Sequence, residues 1–213
     1  MKPRAANQTN RALTLLEVLV VIVILALVAA ILLPALAASK RKSSRIGCVQ
    51  MLKEMGLAYR IWGGDNGDKY PMGISVTNGG AMELIATGNV MVCFQVMSNE
   101  LSTPRTLHCP EDSEHFAANS FTELASSNIS YFINIDAAEA YPQMLLSGDD
   151  NFEIAGAPVK SGLLELSTNT PVSWSAARHK FIGNLGIADG SVQQVTESGL
   201  RSALVITNRL AIP

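Results

Sequence analysis

Charge is scarce in this 213-residue chain: 16% of residues are charged, 18 acidic against 16 basic, for a formal net charge of −2. Without a basic surplus the composition argues against nucleic acid as a partner, because phosphate binding rests on clustered Lys and Arg. Cysteine is scarcer still. Cys48, Cys93 and Cys109 are too few for a disulfide framework, and at most one pair closes within the chain. His108, Cys109 and His115 crowd together, yet no second Cys-x-x-Cys or His pair stands nearby to complete a four-ligand zinc site. No nucleophile-elbow pattern surrounds Ser173, Ser175 or Ser191. The first twelve residues hold Lys2, Arg4 and Arg11 and no acid. Taking those three from the 16 basic residues leaves 13 against 18 acidic, a formal −5, so the remainder is mildly acidic.

What the chain does have is one long apolar run. From Val18 to Ala38 there are 21 residues without a charge, and at about 1.5 Å per helical residue that length matches a bilayer core of roughly 30 Å. The rest has room for one globular domain. Glu17 sits where the run begins, and a carboxylate at a lipid boundary calls for a partner. By the positive-inside rule the basic amino end stays cytoplasmic and everything after the span is translocated, although Lys40, Arg41, Lys42 and Arg45 pull the other way. Three readings compete. A secretory signal peptide would use Ala35-Leu36-Ala37 as its cleavage site, but such cores run to about 7 to 15 residues. A plain signal anchor fits the length and leaves Glu17 unexplained. The third follows the order of residues from Arg11: basic, small, hydrophobic, Thr, two hydrophobics, Glu, then a long apolar helix containing Pro34.

That order resembles the prepilin signal of type IV pilins and type II secretion pseudopilins, which a dedicated peptidase cuts on the cytoplasmic side before methylating the new amine. The resemblance places the cut between Ala12 and Leu13, makes Leu13 the N-methylated terminus, and puts Glu17 fifth and Pro34 twenty-second in the mature chain. One departure is Ala12, where the family usually has Gly. In a filament of apolar helices, Glu17 would meet the Leu13 ammonium of a neighbouring subunit and set register, since pairing removes two costly charges from a low-dielectric setting. Pro34 removes one helical hydrogen bond and is expected to loosen the helix.

Beyond the span the helix continues: Ile46, Val49, Leu52, Met55 or Gly56, Tyr59 and Trp62 recur at helical spacing, with Arg45, Lys53, Glu54 and Arg60 elsewhere. Gly63-Gly64-Asp65-Asn66-Gly67-Asp68 then stops it. Asp65, Asn66 and Asp68 crowd oxygens as a calcium loop does, but no Glu follows at EF-hand spacing, so a polar turn is the favoured reading. Arg45-Ile46-Gly47-Cys48, Leu52-Lys53-Glu54-Met55-Gly56 and Asp65-Asn66-Gly67-Asp68-Lys69-Tyr70-Pro71 resemble a large bacterial group of prepilin-type proteins with a cleavage and methylation domain. Residues 89–97 and 129–135 read as strands. A Cys93–Cys109 disulfide and a Cys48–Cys109 disulfide compete, and sequence does not choose between them.

Near the carboxyl end, Asp189-Gly190 between two strand-like runs signals a hairpin. Nine residues separate His179 from Asp189-Gly190, resembling the H-x9-DG segment of that same prepilin-type group. His179 is read as anchoring a strand and Asp189 as capping the turn. By analogy with some pseudopilins, Asp189 is also a candidate calcium ligand; no other cofactor or metal is expected.

The resulting expectation is an α+β, pilin-like chain: leader 1–12, transmembrane and assembly helix 13–38, amphipathic continuation 39–62, and a globular domain 63–213 with a small antiparallel sheet. Its partners would be prepilin peptidase, copies of itself and related pilin-like subunits, in a pilus or pseudopilus. Its place would be the inner membrane, crossed once, with the domain in the periplasm. The alternative is a membrane-anchored exported binding or hydrolytic domain using His179 and Asp189.

Overall fold

A computed structural model describes residues 14–167, 169–203 and 208–213. The first element is a helix of 51 residues, α1 (Leu15–Asp65), which runs through Pro34. The chain divides into two compact units, Met1–Lys42 and Ser43–Pro213. In the first, residues 15–42 are helical and their large apolar side chains, Leu15 to Leu36, are exposed. This segment is long and apolar enough to cross a membrane.

In the second unit α1 buries Cys48, Leu52, Met55, Ala58, Tyr59 and Trp62. This is the expected stripe with one difference at its start: Ile46 is 61% exposed, and Cys48 takes the inward place. The reason is covalent, because Cys48 forms a disulfide with Cys109, 61 positions on. The Cys93–Cys109 pairing expected as one alternative is thereby corrected. Cys93 is a buried free thiol against the Tyr59 hydroxyl at 3.4 Å, and burial pushes it up to about 12.

The helix ends as the turn residues dictate. Asn66 and Asp68 donate their amides to the Gly63 carbonyl, and the Asn66 side chain donates to the Trp62 carbonyl at 2.7 Å. Short helices follow, α2 (Met82–Ile85), α3 (Val90–Val96) and α4 (Ser98–Leu101). The expected strand at residues 89–97 is thus helix α3. Its buried residues Val90, Cys93 and Phe94, with Met97 just after its end, fall at helical rather than alternating spacing.

The remaining elements make two antiparallel sheets. In chain order they are β1 (Tyr131–Asn134), β2 (Leu145–Asp149), β3 (Phe152–Ile154), β4 (Ala157–Pro158), β5 (Gly162–Leu166), β6 (Val172–Trp174), β7 (Gly183–Ile187), β8 (Val192–Val195), helix α5 (Glu197–Ala203) and β9 (Asn208–Ile212). Six strands form one sheet in the order β5-β9-β1-β2-β7-β8, and β4-β3-β6 form the other. Central strands β1, β2 and β7 are buried along their whole length, so both faces of the large sheet are covered. Alternation sorts their side chains. Tyr131, Ile133 and Leu146 join the helical core of Leu52, Met55, Tyr59 and Phe94. Phe132, Leu145 and Leu185 face Phe152, Trp174 and Leu200. There Phe152 meets both Phe132 and Trp174 edge-on, at 5.7 and 6.3 Å between centroids. The chain is therefore α+β in the pilin-like manner, a long amino-terminal helix followed by a small antiparallel sheet.

Candidate functional site

Two features stand out chemically: the start of α1, and the segment from Arg178 to Gly190. The cut site expected between Ala12 and Leu13 lies outside the described residues. Thr14 and Glu17 form a capping box, Thr-x-x-Glu, at the start of α1. The Thr14 amide and hydroxyl donate to Glu17 Oε2 at 2.8 and 3.0 Å, and the Glu17 amide donates back to Thr14 Oγ1 at 3.3 Å. The carboxylate singled out for register is thus oriented locally, over the first turn of an exposed apolar helix. The box was readable as Thr14 followed three residues later by Glu17.

Around His179 the chemistry is different. His179, Lys180 and Phe181 have φ of 52°, 53° and 62°, three consecutive left-handed residues without a glycine. Each such residue costs about 1–2 kcal/mol in a left-handed conformation, so surrounding contacts must hold the turn. The His179 amide donates to Glu111 Oε2 at 3.3 Å, Arg45 donates to the His179 carbonyl at 3.3 Å, and the Phe181 amide donates to the Ser175 carbonyl at 3.3 Å. The imidazole is buried. Its Nδ1 is 2.9 Å from Glu111 Oε2 but out of line for a hydrogen bond; its Nε2 is 3.5 Å from both Asp149 Oδ2 and Cys109 Sγ. Burial lowers its affinity for a proton, against the opposing charge of Glu111.

Next to it lies a buried charge cluster that sequence reading missed. Arg178 Nη1 donates to the Ser130 carbonyl at 3.0 Å and lies 3.2 Å from Asp112 Oδ2, while Nη2 pairs with Asp150. Burial raises the Asp112 carboxyl, but the His115 hydrogen bond, the Arg178 charge and the Ser130 hydroxyl outweigh it and hold Asp112 well below the ordinary carboxylate range. The hydrogen bond to Asp112 in turn raises His115. Asp112, His115 and Asp150 bring ligand-type atoms within 4.8 Å of one another, as do Cys48, Cys109 and His179. In the first group Arg178 already lies between the two carboxylates; in the second both sulfurs are in the disulfide. His108, Cys109 and His115, which crowd together in sequence but were not expected to hold a metal, have separate partners: the His115 carbonyl, Cys48 and Asp112. Asp149, fully buried, is raised by that burial to about 7, although the Asn184 amide and Arg178 oppose. Its Oδ2 accepts from Asn184 N and Nδ2, both at 2.8 Å. The only sequence trace of this cluster is the pair Asp149-Asp150 and the arginine before His179.

At the other end of β7, the hairpin forms as its sequence demands. Gly190 has φ 86°, its amide donates to Ile187, and Asp189 Oδ1 accepts the Ser191 amide at 2.8 Å. This turn lies on α1: a Cβ at Gly56 would sit 3.3 Å from Gly190 Cα, and Arg60 donates to the Asp189 carbonyl at 3.3 Å. The buried Tyr70 hydroxyl donates to the Ala188 carbonyl at 2.8 Å. The segment thus touches α1 at Arg45 and again at Gly56 and Arg60. Fifteen helical residues rise about 22 Å, within reach of ten residues built around a strand. His179 and Asp189 do not make a base and its orienting carboxylate: one is held among Glu111, Asp149 and Cys109, the other caps a turn. Of the serines considered as nucleophiles, Ser191 gives its amide to that cap, Ser173 pairs with Glu153 in the small sheet, and the Ser175 hydroxyl accepts the Ala177 amide. The arrangement is a clamp that seats one helix on one sheet.

Residues 7–33 match the family model for the prokaryotic N-terminal methylation motif. No curated protein and no solved structure matches the chain. The matched motif supports a type IV pilin-like protein, processed by prepilin peptidase and assembled with pilin subunits. Together with the apolar helix, it is consistent with membrane anchoring and a filament.

Proposed function

We propose that this chain is a structural subunit of a type IV pilus-like or type II secretion pseudopilus filament. Prepilin peptidase would cut between Ala12 and Leu13 and methylate Leu13. The precursor would cross the inner membrane once, its amino end cytoplasmic and its domain periplasmic, until subunits assemble with copies of themselves or with related pilin-like chains. The observation that carries this reading is Glu17, the first acid of the sequence, set within the methylation motif at the head of a charge-free helix.

Sixteen large apolar side chains from Leu15 to Leu36 are exposed, and moving them into water would cost on the order of 30 kcal/mol at ~2 kcal/mol each. That exceeds the usual stability of a whole domain, about 5–15 kcal/mol. The helix therefore has to pass from lipid directly to the helices of neighbours. Glu17, already turned back on Thr14, is then carried into a dry setting where its carboxylate gains most from the Leu13 ammonium of the adjacent subunit. Pro34 supplies the point at which the helix adjusts its packing.

Replacing Glu17 tests this. In cells carrying the cognate machinery, Glu17→Ala should abolish sheared or pelletable filaments while the full chain remains membrane-bound with an unchanged domain melting temperature. Normal filament yield from Glu17→Ala would refute the proposal.

A further inference from the structure

We propose that Cys48, Cys109, His179 and Asp149 bind one zinc ion when a dithiol has reduced the Cys48–Cys109 disulfide, so that metal and disulfide are alternative locks at one point of the fold. The inference is independent of the filament reading, because all four residues belong to the Ser43–Pro213 unit.

All four side chains are buried. Cys48 Sγ, Cys109 Sγ and a ring nitrogen of His179 lie within 4.8 Å of one another. His179 Nε2 is 3.5 Å from Cys109 Sγ and 3.5 Å from Asp149 Oδ2, which puts a carboxylate at hand for a fourth position. Such separations match those between ligands of one tetrahedral ion. With Zn–S of about 2.3 Å and Zn–N or Zn–O of about 2.0–2.2 Å, sulfur and nitrogen stand about 3.6 Å apart, nitrogen and oxygen about 3.3–3.4 Å. Once unbonded, the sulfurs need to part only to about 3.8 Å, from backbones whose Cα atoms are 5.1 Å apart.

The next layer of contacts also suits a ligand set. Metal-bound imidazoles commonly turn their other nitrogen to a carboxylate, and His179 turns Nδ1 to Glu111 Oε2 at 2.9 Å, out of line for a hydrogen bond. Asp149 is oriented by Asn184, whose amide and Nδ2 donate to Oδ2 at 2.8 Å, while Oδ1 is buried with no hydrogen-bond partner among the described residues. A buried carboxylate oxygen without a donor is costly, and a cation beside it removes that cost. His179 reaches the sulfurs through a turn of three consecutive left-handed residues, none of them glycine, so strained backbone holds the imidazole in place.

The dithiol supplies two electrons and two protons, breaks the S–S bond and closes into its own disulfide, leaving Cys48 and Cys109 as thiols. Zn2+ then displaces both thiol protons to solvent and is held by two thiolates, an imidazole nitrogen and a carboxylate, a donor set and geometry suited to zinc. A small disulfide, itself reduced to two thiols, reverses both steps and frees the ion. Cys48 lies on α1 and Asp149 ends β2, so the ion ties helix, sheet and turn together while the disulfide is open.

The experiment uses the full chain in detergent, reduced without air by a phosphine, which takes up the oxygen of water and leaves the same two thiols. Reduction is complete when a denatured aliquot titrates three thiols rather than one. Cobalt(II) is the probe, because tetrahedral thiolate sites give it visible and near-ultraviolet charge-transfer bands, and zinc is the competitor. The expected result is about one cobalt per chain in the reduced parent and in Cys93→Ala, displaced by about one equivalent of zinc. The disulfide-bonded chain should show no bands, and neither should His179→Asn, whose Asn tolerates positive φ. Glu111→Gln should bind about 10–100-fold more weakly. X-ray absorption of the reduced parent with zinc should show two sulfurs at about 2.3 Å, with an imidazole nitrogen and an oxygen at about 2.0–2.2 Å; this readout needs no variant to fold. Absence of the charge-transfer band from reduced Cys93→Ala overturns the inference, whether or not the domain keeps the circular dichroism of Trp174. A zinc shell lacking either sulfur or imidazole overturns the ligand set, and cobalt spectra unchanged by reduction place the metal elsewhere and overturn it too.

Discussion

Replacing Gly56 by valine should loosen the domain from its helix, and the size of the effect follows from one close approach. Two of the α1 glycines in the second unit, Gly47 and Gly56, differ in what a side chain would meet. At Gly47 the nearest atom to a new Cβ is Pro110 Cγ at 3.4 Å, an ordinary contact; at Gly56 it is Gly190 Cα at 3.3 Å, with the Gly190 carbonyl oxygen at 3.7 Å. Gly47→Ala should therefore collect most of the helix-propensity gain of about 1 kcal/mol. Gly56→Ala should collect little of it, because the Asp189-Gly190 turn must retreat by a few tenths of an ångström while tied to Ser191, Ile187 and Arg60. Gly56→Val places two more carbons against backbone and should destabilise by about 1–3 kcal/mol. At 2–4 °C per kcal/mol for a unit of this size, the two extreme variants should melt roughly 4–16 °C apart. Thermal unfolding of the full chain in detergent, followed by near-ultraviolet circular dichroism of the buried Trp174, reads this directly. Equal melting temperatures for Gly47→Ala and Gly56→Val would refute the idea that the carboxyl-terminal motif seats the helix.

The disulfide closes a 61-residue separation, which corresponds to about 4 kcal/mol of stabilisation in the chain-entropy account. Reductant should lower the denaturation midpoint of the parent and of Cys93→Ala but leave a Cys48→Ala, Cys109→Ala double variant where it is; an effect confined to chains containing Cys93 would contradict the pairing. Asp149 predicts a pH dependence. Its carboxyl is raised by burial from 3.8 to about 7, so between those values the fold retains a proton that the unfolded chain has released, and stability falls as pH rises through that window. Asp149→Asn keeps an acceptor for Asn184 and removes the dependence. The variant's advantage over the parent should grow from about pH 4 to pH 7, with ~4 kcal/mol as its upper bound. A difference constant over that range would sink the assignment.

How much of this could be read from residues depends on how local the cause is. The long apolar helix was legible because 21 charge-free residues admit few alternatives, and the hairpin because Asp189-Gly190 meets a steric need of tight turns. The amphipathic half-helix was legible from Leu52 to Trp62, but its first inward residue was set by a bond to Cys109, whose choice of partner depends on tertiary approach. Residues 89–97 looked like a strand because their apolar run is short and rich in valine; helical spacing of the buried set decided otherwise. The charge cluster was illegible for a different reason. Asp112, Asp150 and Arg178 are separated by 28 residues or more, and nothing in their local sequence says that all three are buried together. His179 and Asp189 were read from sequence as a strand anchor and a turn cap, with a base and an acid as the alternative; in the fold Asp189 accepts the Ser191 amide and His179 lies buried against Glu111.

The central claim is that the apolar helix begins at a processed amino terminus, so that Glu17 acts as the fifth residue of a mature subunit. Mass spectrometry of the amino-terminal peptide from native membranes tests it most directly. The account predicts a chain starting at N-methylated Leu13. A chain still carrying Met1, or one starting at Ala38, would contradict it and reduce the same helix to an anchor or a discarded signal.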